Sequence, residues 1–255
     1  MDLGLAGRVA LITGGGQGIG LADARVLGGE GATVVINDLD AATAERAVAA
    51  LATEGIDAAF YPGDAADEAV AKRTVADVAR RYGRIDILIN NAGIGVKPAY
   101  PVADMPAEAW DTMIHVHMKS TFLWSREVIP HMKAGGFGRI VNTCSMNFTG
   151  GGRPGVAHYS AAKAGILGFT QTLAKEVGPF GITANAIAPG YVETALIAQF
   201  SPEMRERLHQ QNPVGRMCQP QEVAALVAFL CSTHAGFING EHVCMDGGRR
   251  DFYWG

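Results

Sequence analysis

The chain alternates short runs of β-branched residues with longer alanine-rich segments, and this alternation constrains its fold more than any other feature. Each run is apolar throughout, as in the sequence VALIT from Val9, which is typical of strands buried on both faces of a parallel sheet. Segments of helical periodicity separate the runs and therefore predict repeated strand–helix–strand units. The seven predicted strands cover residues 9–13, 33–37, 58–61, 85–90, 139–143, 183–187 and 242–245.

We expect a single α/β domain over residues 1–255, with a doubly wound parallel sheet of seven strands and helices on both faces. The 255 residues are 48% hydrophobic and only 18% charged, and no linker rich in Pro, Ser or charge marks a domain boundary. The least regular stretch is about residues 190–219, where Pro202, Pro213 and Pro220 interrupt a short helical pattern. Such a segment is typically a lid over a site, the alternative being an inert surface excursion.

The composition excludes several classes of partner. Lys and Arg total 21 against 25 Asp and Glu, a net charge of −4, and the basic residues are dispersed, so a nucleic-acid partner is not expected. Apolar stretches such as residues 224–231 are far below the ~20 residues that cross a bilayer, and Asp2 stands where a basic leader would lie. The 4 cysteines stand alone without CxxC spacing, which favours reduced thiols over disulfides or a metal. We therefore expect a cytoplasmic protein with no membrane association and no metal.

A glycine-rich turn, TGGGQGIG from Thr13, follows the first predicted strand and leads into a helical pattern. Its spacing, set by Gly14, Gly18 and Gly20, is GxxxGxG. A turn of this kind lets backbone N–H groups and a helix N-terminus approach a pyrophosphate, as in dinucleotide-binding folds. Glycines also cluster in loops that bind nothing, so the signal depends on its position between a strand and a helix.

The second predicted strand leads into Asp38, 18 residues beyond Gly20. A carboxylate there would accept hydrogen bonds from an adenosine ribose and would repel a 2′-phosphate. Neither Gln17 nor Leu39 supplies a cation to attract that phosphate, so the pattern predicts NAD as the cofactor. The alternative interpretation of Asp38 is an N-cap of the helix that follows.

Tyr159 and Lys163 lie four residues apart in a segment of helical periodicity. This spacing puts the phenol and the ammonium group on one helix face, where the cation would lower the pKa of the phenol and make it a general acid or base. Ser145 follows the fifth predicted strand, at the sheet edge where ligands bind in such folds. Taken singly, each has an ordinary structural interpretation: a helix pair with a solvated lysine, and a turn serine.

The chain resembles the short-chain dehydrogenase/reductase family, in its branch of ~250 residues with a single Rossmann domain. The matching motifs lie in order along nearly the whole chain: TGGGQGIG, the region of Asp64, NNAG from Asn90, Ser145, YSAAK from Tyr159, PGYVET from Pro189 and MDGG from Met245. The spacing of Tyr159 and Lys163 argues against the enoyl-reductase branch, in which these two residues lie farther apart.

The resemblance implies roles for individual residues. Tyr159 would exchange a proton with the substrate oxygen, Lys163 would bind the nicotinamide ribose, and Ser145 would orient the substrate. Hydride would pass directly between the substrate carbon and the nicotinamide. The implied cofactor-binding residues are Gly14, Gln17, Gly18, Ile19, Asp38, Asp64, Ala65, Asn91, Ala92, Gly93, Tyr159, Lys163, Pro189, Gly190, Val192 and Thr194.

The chain departs from the family pattern at His117, where members usually carry a proton-relay asparagine. A histidine could hold the same relay water, and its near-neutral pKa would make the relay sensitive to pH. The alternative is that His117 only fills space at a helix kink. His115 and His117 are not expected to share a metal, because residues two apart on a helix face away from each other.

A second departure is the loop over residues 146–158, which is one residue longer than the commonest family spacing between the serine and the tyrosine. It lies where substrate would bind, so Met146, Phe148 and Thr149, together with Tyr191, are candidate substrate contacts. Arg153 could meet an anionic group, although a solvated arginine is the ordinary interpretation. Apolar candidates, among them Phe200, favour a hydrophobic secondary alcohol or ketone.

The leading hypothesis is an NAD-dependent oxidoreductase that transfers hydride between the cofactor and a secondary alcohol or ketone, with oxidation as the favoured direction. The alternatives are a biosynthetic 3-oxoacyl-type ketone reductase and a non-catalytic dinucleotide-binding protein. The resemblance also implies a homotetramer, with the Tyr159 helix and a helix over residues 110–131 at one interface. Phe252, Tyr253 and Trp254 in the tail are expected to bury against a neighbouring subunit, the alternative being a solvated tail.

Overall fold

The computed structural model describes residues 1–150 and 152–248, without the side chains of Thr149, Gly150 and Leu196. The predictions about Thr149 and about the tail residues Phe252, Tyr253 and Trp254 therefore lie outside the described part of the chain. Within that part, no helix is both long and apolar enough to cross a bilayer.

All seven strands form one parallel sheet in the order β3-β2-β1-β4-β5-β6-β7. The predicted fold class, a doubly wound Rossmann sheet, is confirmed. The strands are β1 Val9–Thr13, β2 Thr33–Asp38, β3 Ala58–Pro62, β4 Ile87–Asn90, β5 Gly138–Thr143, β6 Ile182–Pro189 and β7 His242–Met245. The prediction placed the start of the fourth strand two residues too early and the end of the sixth two residues too early.

The helices of the described chain cover both faces of the sheet. They are α1 Gly18–Gly29, α2 Ala41–Thr53, α3 Glu68–Tyr82, α4 Ala107–Ile114, α5 Ser120–Gly135, α6 Asn147–Gly150, α7 Ala157–Val177, α8 Ala195–Ala198, α9 Pro202–Gln210 and α10 Pro220–Cys231. One apolar core packs Leu27, Leu51 and Val227 against the sheet, and a second core packs Trp124 and Leu173 against its other face.

The helix predicted over residues 110–131 is interrupted by a π-helical turn, His115–Lys119. The hydroxyl of Ser120 donates to the carbonyl of Val116 at 2.6 Å, and that of Thr121 donates to the carbonyl of His117 at 2.8 Å. Side-chain hydroxyls that bond backbone carbonyls in this way compete with the regular helix ladder and favour a bend. The bend places His117 next to the end of β4.

Asp23 is a buried carboxyl in α1, and neither of its oxygens has a hydrogen-bond partner in the described structure. Burial raises its pKa well above the ordinary value. In the unfolded chain the group ionises at its ordinary pKa, so stability falls as pH rises from that value towards the folded one. Asp23 is therefore a source of instability at neutral pH.

Replacing Asp23→Leu should raise the free energy of unfolding by about 1–3 kcal/mol at neutral pH, because it removes a buried unpaired polar group. Asp23→Asn is the matched control, since it keeps a polar side chain but cannot ionise. Urea denaturation at about pH 5 and about pH 8 measures the free energy of unfolding of each protein. From the lower pH to the higher one, both variants should lose less stability than the wild type. An equal loss in all three proteins would contradict it.

Candidate active site

The site lies at the carboxyl edge of the sheet, between β1 and β4, where the chain switches from one side of the sheet to the other. Ligands bind at such switch points in doubly wound folds. The Thr13 hydroxyl accepts hydrogen bonds from the backbone N–H groups of Asn91 and Ala92, both at 3.1 Å. The Asn91 amide donates to the carbonyl of Gly14 at 2.9 Å. These bonds hold the loop after β4 against the turn after β1.

Three glycines of the turn, Gly14, Gly16 and Gly20, have no room for a side chain. Gly14 has a φ of +63°, and a Cβ there would lie 2.9 Å from the Cα of Ala92. A Cβ on Gly20 would overlap the Gly14 carbonyl, and a Cβ on Gly16 would lie 2.8 Å from the Asp38 carboxylate. The result is an open backbone surface at the N-terminus of α1, which fits the pyrophosphate of a dinucleotide.

Asp38 ends β2 beside this turn and is half-buried. One carboxylate oxygen accepts the N–H of Gly16 at 2.9 Å, and the other accepts the N–H of Asp40 at 3.1 Å. The alternative interpretation of Asp38 as the N-cap is wrong, because Asp40 caps α2 with bonds from Ala42 and Thr43. The Asp38 carboxylate is thus fixed next to the glycine turn and does not cap the helix.

Asp64 and Ala65 follow β3 at the same edge of the sheet. The exposed Asp64 carboxylate accepts the N–H of Ala66 at 2.8 Å, and the Ala65 carbonyl accepts the indole N–H of Trp124 at 2.9 Å. Gln17 is exposed just before α1 and makes no side-chain capping bond. A Cβ on Gly18 would lie 3.5 Å from the Thr194 methyl, so this turn approaches the segment after β6.

A cavity of about 790 Å³ opens beside the turn and contains all four predicted catalytic residues: His117, Ser145, Tyr159 and Lys163. Ser145 lies two residues after the end of β5, and α7 carries Tyr159 and Lys163. Seven of the predicted cofactor-binding residues other than Tyr159 and Lys163 also line it: Ile19, Asn91, Gly93, Pro189, Gly190, Val192 and Thr194.

Lys163 is fully enclosed, and its ammonium group donates to the carbonyl of Thr143 at 2.7 Å. Burial lowers its pKa to about 8. Burial raises the pKa of Tyr159, and a hydrogen bond with the Ser145 side chain opposes this rise. The Lys163 ammonium group lies 5.7 Å from the centre of the phenol ring, and the prediction that it lowers the pKa of Tyr159 stays a prediction. Tyr159 is a protonated phenol at neutral pH.

His117 is buried at the π-helical turn, with its Nε2 atom 3.3 Å from the backbone nitrogen and 3.1 Å from the carbonyl of Ile94. Its ring meets that of Tyr159 edge to face, with centroids 5.3 Å apart. Burial, followed by the charge of Lys163, lowers the pKa of His117 well below its ordinary value. The prediction of a near-neutral pKa is wrong, since the imidazole is neutral at physiological pH.

Of the four candidate substrate residues, the structure describes the side chains of three, and these differ in position. Met146 and Tyr191 line the cavity, whereas Phe148 does not. The Phe148 ring packs edge to face on His242, with centroids 5.1 Å apart, and against the small apolar cluster around Cys144. Phe148 is therefore a packing residue between α6 and the edge of the sheet, and the expectation of a substrate contact is not supported.

Several lining residues were not predicted from the sequence. The loop after β4 contributes Ile94 and Val96, and the segment over residues 190–219 contributes Ile197, Ser201 and Met204. In the segment for which a lid was predicted, the short α8 and the first turn of α9 lie against the cavity, and the lid itself stays a prediction. No local sequence pattern identified which of their side chains face it.

A sequence profile described as enoyl-(acyl carrier protein) reductase matches residues 14–250, and full-length relatives share more than a third of their residues with this chain. The chain belongs to the short-chain dehydrogenase/reductase family. The acetoacetyl-CoA reductase of Allochromatium vinosum is 40% identical over 243 residues, which cover 94% of this chain and 98% of the relative. The cis-4-hydroxycyclohexanecarboxylate dehydrogenase of Sinomonas cyclohexanicum is 37% identical, with 97% and 98% covered.

Solved structures of the family agree with the fold. The 3-oxoacyl-[acyl-carrier protein] reductase of Brucella melitensis with bound NAD superposes with a TM-score of 0.86 at 34% identity, covering 96% of this chain and 91% of that one. As a short-chain dehydrogenase/reductase, the protein is an oxidoreductase that binds a nicotinamide cofactor and acts on CH–OH or ketone groups.

Proposed function

We propose that the protein is an NAD-dependent dehydrogenase of a secondary alcohol, or a reductase of the corresponding ketone. The observation that carries this proposal is the convergence of Ser145, Tyr159 and Lys163 on one cavity that opens beside the glycine turn. The position of the Asp38 carboxylate, hydrogen bonded to the N–H of Gly16, supports the choice of NAD. The bound nicotinamide would supply or accept the hydride.

Different residues would bind the parts of the cofactor and transfer the proton. The turn from Gly14 to Gly18 would hold the pyrophosphate, Asp38 the adenosine ribose, and residues 189–194 the carboxamide. Because Tyr159 is protonated and shares a hydrogen bond with Ser145, its hydroxyl is placed to donate a proton to a ketone oxygen. In the oxidative direction Tyr159 must first lose its own proton to solvent, and the phenolate oxygen then takes the proton of the alcohol, so a rise in pH favours that direction.

Two other functions were considered. Reduction of a 3-oxoacyl thioester is the second candidate, because the Allochromatium vinosum relative is an acetoacetyl-CoA reductase. A binding protein without turnover is disfavoured, since Ser145, Tyr159 and Lys163 are all present and meet in the cavity. An assay of the purified protein with NAD against a panel of secondary alcohols, followed by NADH absorbance, tests the proposal. Absence of turnover across the panel, with intact NADH binding, would contradict it.

We further propose that His117 is a positioning residue. Its Nε2 atom is engaged by the backbone of Ile94, and its ring supports the ring of Tyr159. A Cβ on Gly93 would lie 2.5 Å from the imidazole, so the side chain also packs against the loop that lines the cofactor site. A neutral imidazole in this place can order a relay water without carrying the proton itself.

His117→Asn should keep kcat within about tenfold of the wild type, because an amide can still bond the Ile94 backbone. His117→Phe keeps a ring but leaves that backbone unpaired and should lower kcat by about 10- to 100-fold. Since the wild-type imidazole does not titrate near neutrality, the pH–rate profile of the Asn variant should keep the wild-type shape there. Loss of a limb near neutral pH would show instead that His117 carries a proton.

We also propose a homotetramer in the cytoplasm. Trp110 in α4 and Phe122 in α5 are large apolar side chains with 41% and 44% of their surface exposed. On α7, Ala164 and Gly168 are exposed, and a Cβ on Gly168 would meet open space. Small exposed residues on one helix beside exposed aromatic residues on another favour close packing against a second copy.

A further inference from the structure

The charged side chains that line the cavity in the described structure are all cationic. Its lining includes two charged side chains, Lys163 and Arg153, and no Asp or Glu from the described residues. The Lys163 ammonium group is bonded to the Thr143 carbonyl inside the site. Arg153 is exposed and makes no ion pair with an acidic residue of the described chain. A protein of net charge −4 thus presents a locally positive cavity.

The loop that carries Arg153 is held on both sides. Before it, the N–H of Gly152 donates to the Ser160 hydroxyl on α7 at 3.1 Å. After it, the carbonyl of Gly155 accepts the N–H of Tyr100 at 3.0 Å. The backbone on both sides of Arg153 is therefore held between α7 and the loop after β4, and Arg153 lines the cavity from there.

The segment after β6 contributes a largely apolar wall. Ile197 of α8, Phe200 between α8 and α9, and Met204 of α9 line the cavity together with Tyr191. A ligand that contacts Ser145, Tyr159 and Arg153 in this cavity would also meet these apolar side chains. It would need a polar reacting group at one end, an apolar body and a negative charge at the other end.

We propose that the substrate is an anionic hydroxy or oxo compound, and that Arg153 binds its negative group. This inference rests on the proposed function of the site. An arginine forms paired hydrogen bonds with either a carboxylate or a phosphate, so the shared chemistry is an oxyanion carried on an apolar body. The oxyanion comes from one of two sources: a carboxylate on a small substrate, or a phosphate on a carrier thioester.

The first experiment measures binding rather than turnover. Isothermal titration calorimetry compares cyclohexanecarboxylate with cyclohexanecarboxamide on the NADH-loaded protein, using wild type, Arg153→Met and Arg153→Lys. A charge-assisted bond should make the carboxylate bind about 10- to 100-fold more tightly than the amide in the wild type. Arg153→Met should remove the difference, and Arg153→Lys should keep part of it. Arg73→Met, which removes an exposed arginine of α3 outside the cavity, is the matched control.

The second experiment distinguishes the two sources. It compares kcat/KM for 3-hydroxybutanoyl-CoA with that for the N-acetylcysteamine thioester, which lacks phosphate. A preference for the CoA thioester that Arg153→Met abolishes assigns the oxyanion to the phosphate of the carrier. If the only preference is the one for cyclohexanecarboxylate over cyclohexanecarboxamide in the first experiment, the oxyanion is a carboxylate of the substrate.

Two outcomes would overturn the proposal: the absence of any anion preference in both experiments, or a preference that survives Arg153→Met unchanged. Turnover of a neutral secondary alcohol by the wild-type protein, measured alongside, separates either failure from failure of the proposed function.

Discussion

Tyr159→Phe should lower kcat by roughly 10²- to 10⁴-fold, the usual contribution of a positioned general acid or base. The substitution removes the hydroxyl that is hydrogen bonded with Ser145 but keeps the ring that packs against His117. The affinity for NADH should therefore change by no more than a few fold. Steady-state kinetics and NADH titration by fluorescence measure the two quantities independently.

Tyr82→Phe is the matched control for this experiment. The Tyr82 hydroxyl, at the end of α3, is buried without a hydrogen-bond partner in the described structure. Its removal deletes the same atom from the same residue type outside the active-site cavity. The Tyr82 variant should keep wild-type kcat. Retention of kcat by Tyr159→Phe as well would remove Tyr159 from its proposed role.

The sheet was predictable because its strands are specified locally. A strand buried on both faces must be apolar at every position, so VALIT from Val9 and the run at the start of β2 are recognisable without knowledge of their neighbours. The π-helical turn was not predictable in this way. It depends on the Ser120 and Thr121 hydroxyls bonding to carbonyls one turn back, and the same residues can lie in a regular helix.

The site was predictable in its membership but not in its electrostatics. The motif spacing predicted that Ser145, Tyr159 and Lys163 lie close together, and the structure puts them in one cavity. Burial sets the direction of the pKa shifts of Tyr159 and Lys163, and a motif does not encode burial. The prediction that Phe148 contacts the substrate is not supported for a related reason. Packing of the Phe148 ring on His242 determines which side of α6 faces the cavity.

The cofactor preference should be reversed by changing two adjacent residues. In the proposed function the Asp38 carboxylate would repel a 2′-phosphate, and Leu39 is 75% exposed, so an arginine can replace Leu39 without being buried. Asp38→Ala combined with Leu39→Arg should lower the ratio of kcat/KM for NAD to that for NADP by about 10²-fold or more, since a repulsion is removed and a charge-assisted bond is gained. Initial rates with both cofactors on one alcohol give this ratio.

Two single variants identify the cause of the change. Asp38→Asn keeps an oxygen that can accept the N–H of Gly16 but removes the charge. The change that it causes in the kcat/KM ratio therefore measures the contribution of the charge to the preference for NAD. Asp40→Ser removes a carboxylate two residues away and keeps a cap for α2, so the NAD preference should remain. If Asp40→Ser alters the ratio as much as Asp38→Asn does, the discrimination arises from the net charge of the region. If the wild type prefers NADP, Asp38 does not discriminate between the cofactors, and the assignment to NAD is wrong.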